Sequence, residues 1–386
     1  MAIQPAEKKA IVVVTSLYLV RMLGLFSVLP VLSIYGLELL GANLFLLGLA
    51  LGLYGLTQAI FQIPFGWASD RFGRKPVLLA GFTVFALGSC ICAMASSIEW
   101  LLIGRAIQGA GAVSSVLLAL LADTTKPEHR TIAMAIIGIS IGLSFGLSVV
   151  VGPLIADSFS LQGVFVFSLI LGLIALALCL FSVKEPEKQK MTVNPSIKSV
   201  LFDTDLARLN FSIFTLHFLQ MCIWVAVPGI LLTELGFSVD KHWMIYLIAV
   251  GGGFILMAPF MRRWDKLGKT YLSILVAIGA VFVATLSMSQ VSGYHFFLLG
   301  LVLFFWGFNL LEATLPSTLT KLVSPGAKGT ASGIYSTCQF IGVFLGGVAG
   351  GWVVQNIGTV FVFYVAAGFC LLWLLVMSAR KLNLAA

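Results

Sequence analysis

Charged residues are scarce in this chain: only 10% of its 386 residues are Asp, Glu, Lys or Arg, whereas 60% are hydrophobic. A soluble domain carries roughly 25% charged residues, so this composition excludes an ordinary water-soluble protein. The mean hydropathy of +1.06 agrees with that exclusion. Lipid is therefore the expected solvent for most of the chain, and a backbone in lipid must form helices or closed barrels.

Cysteine and enzyme motifs are also sparse. The six cysteines fall inside apolar runs, where a disulfide framework has no role. Cys90 and Cys92 form a C-x-C pair, but on a helix their side chains point about 200° apart, so we expect no metal site. The sequence contains no H-E-x-x-H motif, P-loop or dinucleotide-binding fingerprint. We therefore expect neither an enzyme nor a cofactor-binding protein.

Long apolar runs dominate what is present. A membrane-spanning helix needs about 20 predominantly apolar residues. The runs predict twelve such helices, at residues 11–35, 45–66, 76–97, 100–122, 131–156, 162–183, 207–233, 243–261, 271–290, 295–318, 330–354 and 359–379. The first run is too long for a signal peptide and has no A-x-A-like cleavage site, so we expect it to be retained. The expected fold class is an all-α membrane protein.

The net charge of +8 is distributed unevenly along this topology. If the N-terminus is cytoplasmic, 20 of the 23 Lys and Arg residues lie on cytoplasmic segments, and Lys241 alone lies outside. The positive-inside rule then places both termini in the cytoplasm. The basic balance is a topology signal, and we expect the lipid bilayer, not nucleic acid, as the partner.

The chain is expected to consist of two six-helix halves, residues 1–183 and 207–386, joined by a polar cytoplasmic linker at 184–206. A repeat with a period near 195 residues supports this division: Pro64 and the segment 70–74 recur as Pro259 and the segment 265–269. The glycine-rich fifth helix is echoed in the eleventh. Such pseudo-symmetric halves are typical of secondary transporters.

Two motifs suggest a family. The segment 66–76 resembles the loop motif between helices 2 and 3 of the major facilitator superfamily, and Leu101, Arg105, Gln108, Gly109 and Gly111 resemble the helix 4 motif of its proton-coupled members. The closest resemblance is to the YajR-type branch of twelve-helix bacterial drug/proton antiporters, through residues 21–24, 54–59 and 61–66. It implies the major facilitator fold and a bacterial-type inner membrane.

The chain departs from that pattern in two places. Antiporter-type members carry a G-x3-G-P-x2-G-G pattern in helix 5, whereas here Gly152 and Pro153 are kept but Ser148, Ala156 and Asp157 replace glycines. This weakens the antiport inference. Members of the YajR-type branch usually append a soluble C-terminal domain, and we expect this chain, which ends at Ala386, to lack it.

The resemblance implies a cytoplasmic gate. The gating motif comprises Gly66, Asp70, Arg71, Gly73, Arg74 and Asp123. In the family the acid at Asp70 caps helix 11 near Gly329, and the cation at Arg74 pairs with the acid at Asp123, which stabilises the outward-open state. The alternative is a charge cluster that only sets topology.

Ionisable residues within spans are costly in lipid and mark function by default. The candidates for proton coupling are Glu312, His217, Arg105 and Arg21. Glu312 is the expected proton carrier, with His217 sharing or relaying the proton. The alternatives are a permanent ion pair of Glu312 with an arginine, and a neutral packing role for His217. Arg105 is implied in coupling by its motif or else binds an anion, and Arg21 has the same two alternatives or snorkels to the surface.

Polar and aromatic side chains within the spans are candidates for the substrate cavity: Tyr54, Gln58, Gln62, Gln108, Gln220, Trp224, Asn309, Tyr335 and Gln339. Few charges and many aromatic rings favour an amphiphilic or apolar organic substrate. We expect a monomeric secondary transporter that uses the proton gradient to export a small amphiphilic compound. The alternatives are a proton-coupled importer and a dedicated exporter of a metabolite such as an amino acid or a siderophore; a passive channel is disfavoured by the repeated gate motif.

Overall fold

The computed structural model describes residues 4–186, 200, 202–290, 293–323 and 328–382, and this part of the chain is helical without a β-strand. The helices are α1 (Pro5–Phe26), α2 (Leu32–Tyr35), α3 (Leu44–Phe72), α4 (Arg74–Ala93), α5 (Ile98–Ala110), α6 (Ser114–Thr124), α7 (Pro127–Ser182), α8 (Thr204–Thr233), α9 (His242–Lys266), α10 (Thr270–Ser289), α11 (Tyr294–Leu322), α12 (Lys328–Asn356) and α13 (Phe361–Ser378). The all-α membrane fold expected from the apolar runs is confirmed.

Eleven stretches of the described chain are long and apolar enough to cross a membrane. One of them, Ile132–Ser182, is 51 residues long and lies in the 56-residue helix α7, where the fifth and sixth spans are predicted. Phe159 and Ser160 interrupt it with non-helical backbone angles, and Ser160 has a φ of 60°. The twelve predicted spans therefore correspond to eleven apolar stretches, one of which holds two spans.

Two predicted helices differ from the structure. The first predicted helix, 11–35, instead begins at Pro5 and ends at Phe26, and a turn precedes the short α2. Pro30 within this turn has no backbone N–H to donate to a continuing helix. The fourth, 100–122, is broken between Ala110 and Ser114. Most of the predicted linker 184–206 lies outside the described residues.

The chain forms two compact units. Unit 1 contains Met1–Ala42 and Leu53–Lys190, and unit 2 contains Asn43–Gly52 and Met191–Ala386. The first turns of α3 thus belong to unit 2, while the rest of the helix belongs to unit 1.

A regular seam joins α1 and α7 in unit 1. The hydroxyls of Ser144 and Ser148 donate to the carbonyls of Leu19 and Leu23, at 3.0 and 2.9 Å. One turn further along α7, Gly152 lies so close to the Ser27 carbonyl that a Cβ would collide with it. Small residues four apart therefore let the two backbones approach. Ser148, which departs from the family glycine, keeps the helices together through its hydrogen bond.

The equivalent seam in unit 2 joins α12 and α8. On α12, Gly342 and Gly346 press against the carbonyls of Phe214 and Phe218. Gly350 follows one turn later against Cys222, whose thiol bonds the Gly346 carbonyl at 3.5 Å. The two seams pair equivalent positions of the repeat, with glycines in unit 2 where unit 1 uses two serines and a glycine.

A second glycine pairing lies on the opposite side of α12. A Cβ on Gly347 would meet the Gly48 carbonyl oxygen at 2.5 Å and the Gly52 nitrogen at 2.9 Å. A Cβ on Gly351 would lie 2.9 Å from the Leu44 carbonyl oxygen. At the end of the contact, the Leu44 amide donates to the Gln355 side chain at 3.1 Å. Backbone therefore touches backbone along these turns of α3 and α12.

Arg208, near the start of α8, holds the end of α13 in unit 2. Its guanidinium donates to the carbonyls of Val376, Met377 and Arg380, and it pairs with Asp205 at 3.2 Å. Cations are favourable at a helix C-terminus, where carbonyl groups lack helical partners.

We expect Arg208→Gln to destabilise the protein by about 1–3 kcal/mol, because a charged donor and its carbonyl partners are lost together. The matched control is Arg262→Gln, since Arg262 is exposed. Thermal unfolding in detergent measures the difference. Equal melting temperatures for the two variants would show that the Arg208 contacts contribute no net stability.

Candidate functional site

The charged residues of the predicted gate meet in unit 1. Arg74, at the start of α4, pairs with Asp70 at the end of α3, with Nη1 2.5 Å from Oδ1. Its Nε lies 2.8 Å from Oδ2 of Asp123, near the end of α6. Nη1 also donates to the Ser69 hydroxyl at 2.6 Å. One guanidinium therefore ties three helices at the α3–α4 turn.

The same turn is held by an acid that the sequence analysis did not single out. Glu185, just after α7, accepts from the backbone amides of Arg74 at 2.6 Å and Lys75 at 2.8 Å. It therefore caps the N-terminus of α4, where an anion is favoured. Gly73, with a φ of 104°, allows this approach, because a Cβ there would lie 2.7 Å from a Glu185 oxygen. In the sequence, the signal for this role is a glutamate that directly follows an apolar run.

Two other gate residues have milder contacts. Arg71 lies over the Trp67 ring, with its guanidinium carbon 5.5 Å from the centroid, and over the Phe72 ring at 5.7 Å. Gly66 makes ordinary contact with Ser115 of α6, whose hydroxyl donates to the Gln62 carbonyl at 3.1 Å. These contacts pack α3 without adding an ion pair.

Arg21 of α1 is 1% exposed inside unit 1. It donates to the Ser114 hydroxyl at 2.7 Å, the Tyr54 hydroxyl at 2.8 Å and the Gln58 amide oxygen at 2.7 Å. No carboxylate among the described side chains of unit 1 forms an ion pair with it. Its guanidinium is therefore stabilised by neutral hydrogen-bond acceptors. Because the side chain is buried, it does not snorkel to the membrane surface.

Arg105 of α5 is equally buried and shares Tyr54 with Arg21. Its guanidinium carbon lies 4.9 Å from the centre of the Tyr54 ring, and Nη1 donates to the Gln108 amide oxygen at 2.5 Å. Gln108 in turn donates to the Ser89 hydroxyl at 2.8 Å. Three of the predicted cavity residues, Tyr54, Gln58 and Gln108, are thus 2% exposed or less and bonded to arginines. Gln62 extends the network, with its oxygen 3.3 Å from the Gln58 amide nitrogen.

Glu312, His217 and Gln339 come together in unit 2, from α11, α8 and α12. Oε2 of Glu312 lies 3.8 Å from Nε2 of His217, and Nε2 of Gln339 lies 2.8 Å from the same histidine nitrogen. The His217 side chain is 8% exposed, whereas that of Glu312 is 38% exposed. The Glu312 side chain therefore keeps some exposed surface, whereas the imidazole of His217 is buried.

The hydrogen bonds define the protonation state that this geometry suits. Nδ1 of His217 lies 3.2 Å from the Ile213 carbonyl, which can only accept, so Nδ1 carries a proton. Nε2 then accepts from the Gln339 amide, and the ring is neutral. A second proton on Nε2 requires the Gln339 amide to turn its oxygen towards the ring, or His217 to move towards Glu312.

Further polar groups lie unpaired around this acid. Oε2 of Glu312, Nδ2 of Asn309 and the Tyr335 hydroxyl are buried without a hydrogen-bond partner among the described residues. Tyr335 is close enough to Glu312 to interact with it electrostatically. Buried polar groups without partners are costly in free energy, so these three groups are candidates for bonding to water or to a ligand.

The other predicted cavity residues of unit 2 are buried in the helix packing. Trp224 is 1% exposed and packs edge-on against Tyr246, with ring centroids 5.3 Å apart, and at a tilt against Phe305. Gln220, one turn earlier on α8, is 4% exposed. Neither side chain is brought to the Glu312 cluster by a described hydrogen bond.

A sequence model of the Major Facilitator Superfamily matches residues 14–345 and, in a second match, 209–383. The chain belongs to this superfamily. It is an integral membrane transporter and not an enzyme, and the resemblance drawn from its motifs is confirmed. Inner membrane transport protein YajR of Escherichia coli K12 is 40% identical over 383 residues, which cover 98% of this chain and 84% of YajR.

More distant relatives of this transporter include multidrug resistance protein MdtH of Aeromonas salmonicida, 28% identical over 86% of this chain and 83% of that protein. Among solved structures, a D-xylose–proton symporter has a TM-score of 0.80 at 16% identity, covering 97% of this chain and 98% of that one. The human organic anion transporter MFSD10 has a TM-score of 0.73 at 20% identity, covering 97% and 100%. These two structures share the fold.

Sequence reasoning missed a further charged contact in unit 1. Glu7 of α1 accepts from the Lys126 backbone amide at 2.8 Å and lies 3.2 Å from the imidazole of His129. It thereby holds the N-terminus of α7. Its position three residues after Gln4, at the start of an apolar run, is a capping-box signal that marks only its local role.

Proposed function

We propose that this transporter exports a small amphiphilic organic compound in exchange for protons, by alternating access. The observation that carries the proposal is the Glu312–His217–Gln339 cluster: a part-exposed acid within a span, next to a buried, neutral imidazole. A carboxyl group in such a place costs free energy when ionised, and no Lys or Arg among the described side chains of unit 2 forms an ion pair with it. It is suited to gaining and losing a proton during the cycle.

Proton and substrate would compete at this cluster. When Glu312 is protonated, its charge is lost and its unpaired oxygen becomes able to donate. When it is ionised, a polar or cationic group of the substrate can bond to Oε2 and to the Tyr335 hydroxyl beside it. Either occupant removes the cost of an unpaired buried group, so each favours release of the other.

The arginines of unit 1 would supply a fixed positive charge. Tyr54 links Arg21 and Arg105. A fixed cation favours the ionised form of any acid that approaches it and so promotes proton release. We propose this as their coupling role; an anionic group on the substrate would be the alternative ligand.

The relatives and the composition support the proposed substrate class and location. Three relatives at 24–28% identity are described as multidrug resistance proteins, and YajR as an inner membrane transport protein. We accordingly propose an inner-membrane monomer with both termini in the cytoplasm. Import remains the second candidate, because Ser148 replaces a glycine of the antiporter pattern.

The test is substrate-dependent proton movement in liposomes containing the purified protein. A panel of cationic, neutral and anionic amphiphiles is added while the internal pH is recorded. Antiport predicts that a transported compound moves protons in the opposite direction to itself. Movement of protons in the same direction as the compound would establish proton-coupled import. Uptake that is unaffected by a pH gradient would reject proton coupling.

We also propose that the gating motif works as a lock that opens and closes in each cycle. Asp70→Asn removes one of the two acids on Arg74, so we expect slower transport with unchanged folding. Asp157→Asn is the matched control, since Asp157 is an exposed acid outside the motif. The measurement is the initial transport rate of both variants. If Asp70→Asn transports at the wild-type rate, the motif only sets the topology and does not act as a lock.

A further inference from the structure

A basic pocket of about 340 Å³ lies in unit 2 where α9 ends and α10 begins. It is lined by Phe260, Arg263, Trp264, Leu267, Lys269 and Leu272. Both helices are apolar enough to span a membrane, so the turn between them lies at a membrane surface. None of these lining residues belongs to the Glu312 cluster or to the gating motif.

The floor of the pocket is aromatic. Phe260 stacks on Trp264 with ring centroids 4.9 Å apart, and meets Trp306 of α11 edge-on at 5.0 Å. At the rim, Leu267 is 54% exposed and Leu272 is 43% exposed. Aromatic rings at a helix end are typical of the interface between hydrocarbon and lipid headgroups. The apolar walls of the pocket can therefore pack against the part of an acyl chain that lies next to the headgroup.

The turn places two cations over this floor. Gly268, with a φ of 63°, allows the Lys269 amide to return to the Trp264 carbonyl at 3.1 Å. The Leu267 amide likewise bonds the Arg263 carbonyl at 3.2 Å. This is the hydrogen-bonding pattern of a helix C-cap, so the positions of Arg263 and Lys269 are fixed by backbone bonds.

The equivalent turn of unit 1 uses its cations differently. There Arg74 is bonded to two acids, Lys75 donates to the Leu180 carbonyl at 2.6 Å, and Arg71 lies over two aromatic rings. In unit 2, Arg263 and Lys269 are exposed and have no ion pair or hydrogen bond with any described side chain. Among the described side chains, the two turns thus differ in how their cations are partnered.

We propose that this pocket binds the phosphodiester headgroup of an anionic phospholipid, with the lipid's acyl chain against Leu267 and Leu272. The two cations complement the phosphate, and basic pockets at the end of membrane helices are suited to anionic headgroups. The apolar floor favours a lipid over a soluble anion, because only a lipid brings hydrocarbon to the same place. The occupant is phosphatidylglycerol or a lipid of the same charge and shape.

The test uses quenching of Trp264 fluorescence in the full-length protein. The protein is reconstituted in phosphatidylcholine vesicles that contain a small fraction of phosphatidylglycerol with brominated acyl chains. The same vesicles with brominated phosphatidylcholine give the non-specific quenching. The difference between wild type and Trp264→Phe isolates the signal of this one tryptophan.

We expect stronger quenching of Trp264 by brominated phosphatidylglycerol than by brominated phosphatidylcholine. Arg263→Gln and Lys269→Gln should each weaken phosphatidylglycerol binding about fivefold, as the loss of one basic residue near an anionic surface predicts. Arg262→Gln is the matched control: it removes the same charge one residue away, outside the pocket lining, and should keep the preference. Because these side chains are exposed, the variants are expected to fold, and size-exclusion chromatography checks this.

Equal quenching by the two brominated lipids would overturn the proposal. So would an Arg262→Gln variant that loses as much preference as Arg263→Gln, since the effect would then come from general surface charge. Displacement of brominated phosphatidylglycerol by glycerol phosphate at millimolar concentration would assign the pocket to a soluble phosphate compound instead of a lipid.

Discussion

Glu312→Gln is expected to reduce substrate-driven proton release to the background of protein-free liposomes. Glutamine has nearly the same shape and is still polar, but it carries no exchangeable acidic proton. The helix should remain in place, because the Glu312 side chain is 38% exposed and makes no described hydrogen bond through Oε2. Binding of an uncharged substrate should survive while its coupling to protons is lost.

The matched control for this variant is Glu234→Gln. Glu234 is an exposed acid just after α8 and is not part of the cluster, so its loss should leave proton release at the wild-type rate. His217→Gln tests the relay separately: if the imidazole shares the proton, coupling should weaken and its pH dependence should change. Identical proton traces for wild type and Glu312→Gln would make the acid structural and remove the basis of the proposed mechanism.

Gly347→Ala is expected to cause a large loss of transport. The added methyl group would meet the Gly48 carbonyl oxygen and the backbone of Gly52, at 2.5–3.1 Å, so neither side can give way by rotating a side chain. The first turns of α3 must therefore move away from α12. Overpacking of this kind lowers the free energy of unfolding by about 1–3 kcal/mol. Gly48→Ala should have the same effect from the other side of the contact.

The control is Gly333→Ala on the same helix, where no described atom beyond the local helix backbone lies within 4 Å of the added methyl. Hydrogen–deuterium exchange gives the structural readout: residues 43–52 should exchange faster in Gly347→Ala and at the wild-type rate in Gly333→Ala. If Gly347→Ala transports normally and residues 43–52 stay protected, the backbone contact is not needed for function.

Only part of the charged gate could be predicted from the motif. Asp70, Arg74 and Asp123 could be grouped from the resemblance, and the structure brings them together. Glu185 could not, because it is separated from Arg74 by more than 100 residues and follows no spacing rule. Similarly, the sequence indicates Arg208 only as a cation that sets the topology. Its contacts with the end of α13 depend on how α8 and α13 pack.

The sequence by itself determined the fold class, the number of spans and the superfamily, because lipid imposes apolar runs of a fixed length and the motifs are contiguous. The break at Phe159–Ser160 falls in the predicted gap between the fifth and sixth spans, whereas the break between Ala110 and Ser114 was not predicted, since it interrupts one continuous apolar run. Tertiary structure alone decided that Glu312, His217 and Gln339 meet, and that Tyr54 joins Arg21 to Arg105. These residues lie on different helices, and only the close packing that glycines and serines permit along the seams sets the distances between them.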